Sequence, residues 1–520
     1  MTAPSLPAVG IDLGTTFSAL ARLDDTGRPV TITNAEGDLL TPSVVLFEGN
    51  NVVVGKEAIK ALATEAEHVA LCPKRDLGAR AYHKTFVGRQ YPPEALQAWV
   101  LKKLKDDAVR VIGNFERVVI TVPAYFDEVR RKATQDAGYM AGLDVMDIIN
   151  EPTAAAVAFG FREGFLTPDG ASAQPRNILV YDLGGGTFDV TVMEIRGNQF
   201  TALATDGDVC LGGQDWDQRL VDYVAEEFIR QHRLDPREDQ NTVGRLWREC
   251  EDAKRTLSAR SKTSVGCDYK GHAIRIEVTR QKFEEITHDL LDRTMFTTRQ
   301  SLQAAGLAWN DLDRVLLVGG STRMPMVQEM LQKLSGKKPD GSVSADEAVA
   351  HGAALRAGLI LAQSNGQPPK FHIRNVNSHS LGVVAMDPKT KRKRNAILIP
   401  RNTPLPITAK RVFKTEREGQ KSILVTIVEG ESANPEDCSR IGKCTVRNLP
   451  PGLPAQSPIE VRFRYLENGR LTVTVSVEGT DQKLQHELAR ENSLTPEQLD
   501  MWRQYISGIA PGAGPGPVSL

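Results

Sequence analysis

NILVYDLGGGTFDVTVMEIR, residues 177–196, opens with an apolar run, Ile178 to Tyr181, that reads as a buried strand. The run ends on a carboxylate, Asp182, and three glycines follow before the apolar alternation resumes. This pattern predicts a strand, a tight glycine turn and a second strand. Because glycine has no Cβ, Gly184, Gly185 and Gly186 let backbone N–H groups come close to a bound anion, and Thr187 adds a hydroxyl. An acid at the strand end suits a hydrated divalent cation that bridges phosphates. Taken alone, the hairpin fits a purely structural turn as well.

A second copy decides between these readings. Residues 9–24, VGIDLGTTFSALARLD, repeat the register: an apolar strand, then Asp12, Leu13, Gly14, Thr15, Thr16 and Phe17. Self-similarity of this kind marks a duplicated unit, and two copies facing across a cleft can grip one polyphosphate. The duplication predicts two lobes with a nucleotide site between them.

At 520 residues the chain exceeds one ordinary core, and the usual domain size suggests roughly three or four domains. Its 64 Lys and Arg against 65 Asp and Glu argue neither for nucleic acid nor for an acidic tail. The segment MTAPSLPA lacks the basic start and apolar core of a signal peptide, and no apolar run reaches the length of a membrane span. A soluble, cytoplasmic protein without nucleic-acid or membrane partners is expected. The six cysteines contain no C-x-x-C pair, so they read as reduced thiols, with Cys250 the candidate for redox sensitivity.

Outward from the hairpins, residues 57–67 read as a helix and Pro73-Lys74-Arg75 as a basic loop, either a solvated surface pair or a cation over phosphates. RVVITVP, residues 117–123, is an apolar strand ending in Pro123. In IINEPTAAAVAFG, residues 148–160, a strand leads through Asn150, Glu151 and Pro152 into an alanine-rich helix. Glu151 is either a helix-start carboxylate or a cleft group that positions water. Gly212 and Gly213 start another helix. Along RLWRECEDAKRTLS, residues 245–258, Glu251, Lys254, Arg255 and Ser258 share one helix face, which is either a salt-bridged solvent face or a platform for an adenosine group. LDRVLLVGGSTRMP, residues 312–325, repeats the strand and glycine turn, and Asp346 reads as the cap of an alanine-rich helix. AQSNGQPPK, residues 362–370, marks a linker. Beyond it, short alternating strands suggest a small β-sandwich. Within that region KTKRKR, residues 389–394, reads as a solvated hairpin loop.

In order and approximate spacing, IDLGTTFSA, VPAYF, IINEPTAAA, DLGGGTFDV, LGGQDWD, CEDAKRTLS, VGGSTRMP and DEAVAHGAA resemble the seventy-kilodalton heat-shock chaperone family, over about residues 8–500. The resemblance implies an α/β plus all-β chain: an actin-like two-lobed ATPase domain of duplicated ribonuclease-H-like units, then a small peptide-binding β-sandwich. The corresponding ranges are 1–362 for the ATPase domain, 363–380 for the linker, 381–490 for the sandwich, 491–507 for a short helical remnant and 508–520 for a disordered Gly/Pro tail.

Carried over by position, the resemblance implies ATP or ADP with Mg²⁺ held by Asp12 and Asp182. Gly14, Thr15, Thr16 and Gly184 to Thr187 would bind phosphates, with Gly212 and Gly213 beside them. Lys74 would orient the attacking water, with Glu151, Asp182, Thr187 and Asp189 completing the catalytic network. Glu251, Lys254, Arg255, Ser258, Gly319, Gly320, Ser321, Arg323 and Asp346 would surround the adenosine. Pro123 and Arg131 would form a relay, Val383, Phe413 and Ile423 a peptide cleft, and Met386 half of an arch over it. The partners implied are unfolded apolar polypeptides, a J-domain cochaperone and a nucleotide exchange factor.

Three departures qualify these expectations. The linker, FHIRNVNSHSLG, is polar where the family's is leucine-rich, and should dock weakly. Asp147 stands where the family typically has an arginine for J-domain proteins, which repels their usual acidic motif. The chain stops soon after Tyr505, and Glu416 replaces the other half of the arch, so a lidless form with fast substrate exchange is expected. The reading is therefore a short ATP-hydrolysing chaperone. Its rivals are a nucleotide-regulated holdase or adaptor and, more remotely, a sugar or acetate kinase of the same architecture.

Overall fold

The strand β1 (Val9–Asp12) pairs antiparallel with β2 (Phe17–Leu23), which continues to β3 (Pro29–Ile32). On its other side β1 runs parallel to β4 (Arg117–Val122), and β4 runs parallel to β5 (Asp144–Asn150). The order β5-β4-β1-β2-β3 is matched in a second sheet. There β6 (Arg176–Leu183), β7 (Phe188–Arg196) and β8 (Gln199–Asp208) form the antiparallel meander, and β9 (Arg314–Val318) lies parallel to β6. The two glycine turns thus occupy equivalent corners of two α/β units with the same local topology. The structure is a computed structural model that describes residues 7–49, 51–166, 174–387, 389–447, 449, 452–467, 471–477 and 494–508, with backbone alone for 483–487. The Gly/Pro tail after Gly508 lies outside the described residues.

Strands covered on both faces need continuous apolar runs, and Val118 to Val122 of β4 are accordingly all buried. The helices α1 (Pro93–Ile112) and α2 (Glu128–Met140) cover one face of the first sheet. The alanine-rich α3 (Glu151–Arg162) begins directly where β5 ends. In the second unit, α4 (Gly213–His232) and α5 (Gln240–Ala259) pack over β6 and β7, while α6 (Ala348–Ser364) lies against α3. Gly352 of α6 sits where a Cβ would come 1.9 Å from the Ala154 carbonyl oxygen of α3. The small side chains of these two helices therefore set how closely the units approach, and one core, with Val119, Val180 and Ala353 in it, runs through both.

Some expectations shift. The helix read over residues 57–67 spans only Lys56–Lys60 and tightens into 3₁₀ turns, where the Asn241 side chain accepts the Ala66 N–H (2.9 Å). The polar linker docks: β10 (His372–Arg374) adds a parallel edge strand to β8, with Phe371, Ile373 and Val376 buried. Three apolar side chains aimed inward suffice because the edge of β8 supplies main-chain hydrogen bonds whatever the outward residues are. Asp147 is not a free anion, since Arg356 of α6 grips it through Nε and Nη2, both at 2.8 Å.

The C-terminal β-domain consists of two four-stranded antiparallel sheets around one core. One contains β11 (Leu381–Met386), β12 (Lys393–Ile399), β14 (Ile423–Glu429) and β15 (Ser439–Val446). The other contains β13 (Ile407–Lys414), β16 (Pro458–Tyr465), β17 (Leu471–Val477) and β18 (Lys483–Glu487). The basic run at 389–394 forms the β11–β12 hairpin tip and the start of β12.

The last helix, α7 (Pro496–Ile506), is capped by Thr495, which accepts the Gln498 N–H. It returns to the first α/β unit, where Trp502 packs against Tyr91 and Trp99 with ring centroids 5.8 and 6.4 Å away. Arg503 lies 4.7 Å over the Tyr139 ring, and Asp500 accepts the Tyr139 hydroxyl. Trp502→Ala should remove this anchor at about 3–5 kcal/mol, so amide exchange along 496–506 should speed up by orders of magnitude. Unchanged protection there would show that the helix is held otherwise.

Candidate functional site

Two hairpin corners meet at the floor of a cavity of about 530 Å³ between the α/β units. Thr16 packs where a Cβ on Gly185 would come 2.2 Å from its hydroxyl, and Thr15 fills the same space against Gly186. One copy of the duplicated turn therefore carries side chains and the other carries none. Gly184 is tied down by Gly213 N–H and by the Ser321 hydroxyl, both donating to its carbonyl at 2.9 Å, and Gln214 N–H donates to Gly185. The Gly184 N–H closes the turn on the Thr187 carbonyl (3.0 Å).

Four carboxylates converge here. Asp12 and Asp182 end β1 and β6, Asp189 lies opposite Asp182 in the β6–β7 register, and Glu151 starts α3. One ammonium group answers them, that of Lys74, which is 2% exposed and sits 2.6 Å from Glu151 Oε1. The 3₁₀ turn Pro73–Asp76 delivers it from Cys72, whose φ is 53°. Asp12 accepts from the Thr121 hydroxyl (3.1 Å), and Asp189 accepts from the Tyr125 N–H (2.9 Å). Burial, then the charge of Glu151, pushes the Asp12 and Asp189 carboxyls up to about 7. Burial, then Glu151 and Asp189, drives Asp182 well above the carboxylate range. Among the described residues no three of these side chains close on one point as the ligands of a bare metal ion would, so the set suits a hydrated divalent cation that arrives on a bound anion, whose charge would restore the ionised forms.

The remaining wall comes from the second unit. Glu251, Lys254, Arg255 and Ser258 of α5 line the cavity with Gly319, Gly320, Ser321 and Arg323 from the turn after β9 and with Asp346. Glu251 Oε1 accepts from Arg255 (2.6 Å), and Lys254 donates to the Gly213 carbonyl (2.8 Å) and to Asp217 (2.7 Å). Asp346 is not the cap of α6. The helix starts at Ala348 after Glu347, and Asp346 instead takes a two-point ion pair from Arg323 at 2.6 and 3.2 Å. Arg131 donates to the Ala124 and Phe126 carbonyls and to Asn150, bracing the turn after Pro123 against the residue before Glu151. Cys250 is buried and its thiol is driven upward by that burial, the opposite of a reactive thiolate.

In the β-domain, Val383 and Ile423 are buried in the shared core, Phe413 is half-buried and Met386 is exposed.

The sequence reading missed Arg75. From the turn that carries Lys74, its Nε donates to the Gly186 carbonyl (3.0 Å) and its Nη2 meets Asp215 Oδ2 (2.6 Å). Asp215 also accepts the Gly212 N–H (2.7 Å). Arg75 thus straps the first unit to the glycine turn of the second. Its position beside Lys74 was the available signal, but its partner lies 140 residues away.

The chain matches the family model described as Hsp70 protein over residues 8–87 and 81–506. It belongs to the Hsp70 family. Hsp70 proteins are chaperones and ATPases, and the family implies nucleotide binding and the binding of unfolded polypeptides. Among the described residues, no helix is long and apolar enough to cross a membrane. For an Hsp70 site strapped in this way, Arg75→Ala should speed release of a bound adenine nucleotide by about tenfold, the worth of one charge-assisted pair. Stopped-flow displacement of a fluorescent nucleotide measures it, and an unaltered rate would mean that the strap does not resist opening.

Proposed function

We propose that the chain binds ATP with a hydrated magnesium ion in the cleft, hydrolyses it to ADP and phosphate, and couples this to holding apolar segments of unfolded proteins. The fold behind this reading is an actin-like pair of lobes followed by a peptide-binding β-sandwich. The observation that carries it is the single buried ammonium, Lys74, among four carboxylates beside two phosphate-sized turns. Asp12 and Asp182 would hold the magnesium ion, while Thr15, Thr16, Thr187 and Gly184 to Gly186 would hold phosphates. Phosphoryl transfer to water needs positioning and charge compensation more than covalent chemistry. Lys74, with Glu151 and Asp189 near it, supplies both to an attacking water. The remaining face, from Glu251 to Ser258 and from Gly319 to Arg323, suits a ribose and a flat base. Lys74→Ala should cut hydrolysis by about 10³-fold or more while fluorescent ATP still binds. Turnover like that of the wild type would remove Lys74 from this role.

A path for coupling starts at the same carboxylates. The Tyr125 N–H donates to Asp189, and the Tyr125 carbonyl accepts from Nε2 of His379, two residues before β11 of the β-domain (3.0 Å). The Tyr125 backbone therefore joins a cleft carboxylate to the entry of the domain proposed to hold clients.

That domain has its own electrostatic character. Residues 381–490 contain nineteen Lys and Arg against twelve Asp and Glu, whereas the whole chain has 64 against 65. Lys389, Lys391, Arg392 and Lys393 crowd the hairpin beside Met386, and Lys414 at the end of β13 is followed by Arg417 and Lys421 in the β13–β14 connection, all exposed. Clients with acidic flanks around an apolar centre should be favoured. Single-turnover hydrolysis with an apolar peptide tests both parts of this reading. Stimulation is expected, with acidic flanks binding about tenfold tighter than basic ones at low salt and the gap closing as salt is raised. No stimulation and no nucleotide effect on peptide binding would favour a holdase, and equal binding of both peptides would sink only the charge preference.

A further inference from the structure

The 3₁₀ turn Pro73–Asp76 carries both Lys74 and Arg75, and the strand before it, Val69–Leu71, is the outer strand of its small sheet. Leu71 lies opposite Val44, but its N–H and carbonyl turn to a side chain instead of a strand. The Tyr82 hydroxyl accepts the Leu71 N–H (3.1 Å) and donates to the Leu71 carbonyl (2.8 Å). A phenol can do both at once, so one side chain takes the place of a neighbouring strand. The next residue holds the far end of the turn, with His83 Nδ1 3.0 Å from Asp76 Oδ2. Between these two ties Cys72 has a φ of 53°, a conformation that a non-glycine residue keeps only when its surroundings impose it.

A column of rings holds Tyr82 in turn. Its ring lies 5.7 Å from Phe86, Phe86 lies 4.7 Å from Phe47, Phe47 4.7 Å from Tyr91, and Tyr91 5.8 Å from Trp502 of α7. All five rings are buried. Trp99 of α1 packs edge-on against Phe47, Tyr91 and Trp502, and α1 itself lies against the turn. The Tyr82 N–H donates to the Tyr91 carbonyl (2.8 Å), which ties the two ends of the column's loop together. Close-packed rings have few other arrangements, so a shift at one end is passed along instead of being absorbed.

We propose that Tyr82 is the positioning residue of the turn that carries Lys74, and that docking of α7 through Trp502 sets how firmly it holds. The effect on rate rests on the hydrolysis proposed above, whereas the effect on the backbone does not. Misplacing a reacting group by about 1 Å costs up to about 10²-fold, and the Lys74 ammonium has to stay at the cleft carboxylates to act. Release of α7 therefore slows the chemistry from outside, although among the described residues nothing from α7 lines the cavity.

Amide exchange in the full chain tests the positioning without turnover. The Arg75 N–H donates to the Cys72 carbonyl (3.0 Å) and so reports on the turn itself. Tyr82→Phe keeps the ring in the column and removes only the hydroxyl, and exchange at Arg75 should rise by about tenfold or more. Trp502→Ala should raise it as well, and Trp502→Phe, which keeps a ring, should restore it. Should Trp502→Ala fail to fold, Trp502→Leu fills most of the space without a ring and takes its place. Single-turnover hydrolysis at saturating ATP should fall by about tenfold or more in Tyr82→Phe and Trp502→Ala and recover in Trp502→Phe. A wild type that hydrolyses nothing would count against the reaction and leave the exchange result to decide the positioning. Arg75 exchange unchanged in Tyr82→Phe, or unmoved when loss of the Trp502 ring frees residues 496–506, would overturn the proposal.

Discussion

Thr15 and Thr16 occupy the space that side chains on Gly186 and Gly185 would need. Everything between the two α/β units is arranged around that approach. The duplicated corners meet only because one is stripped to backbone, and their meeting places Asp12 and Asp182 across a single cavity. Further back, Gly352 against Ala154 does for the helices what the turns do for the floor. Two contacts that exclude a Cβ thus set the distance over which all other cleft residues act.

The second constraint is charge. Lys74 and Glu151 neutralise each other at 2.6 Å, which leaves Asp12, Asp182 and Asp189 in surroundings where ionisation is unfavourable. Such a site suits a divalent cation bound to an anion, and a buried pair like Lys74–Glu151 serves geometry more than stability. Domain contact follows a similar economy. Where the β-domain meets α2, Glu429 accepts the Glu128 N–H and the Tyr465 hydroxyl donates to Glu128, so the seam is held by hydrogen bonds between buried groups.

Much of this was legible in the linear chain. The hairpins at Asp12 and Asp182 are short-range objects, and strand, acid and turn all lie within one window of residues. The alanine-rich α3 and the shared face of Glu251, Lys254, Arg255 and Ser258 follow from helical spacing alone. Local rules misled where a distant partner won. Asp346 resembled a helix cap, but Arg323 takes it. Asp147 resembled a surface anion, but Arg356 covers it. The linker read as a polar segment with little to dock by, and β8 offers it an edge.

By itself, then, the sequence determined the repeated strand-turn units, the order of the domains and the chemical character of the cleft. Those depend on period, glycine placement and residue type, which act over a few neighbours. Only the tertiary structure decided that Arg75 reaches Asp215, that Trp502 returns to Tyr91 and Trp99, and that Glu429 lies on the N–H of Glu128, 301 residues away. Such pairings leave no local pattern, because an ion pair, a ring contact or a shared proton constrains only the endpoints and is indifferent to the chain between them.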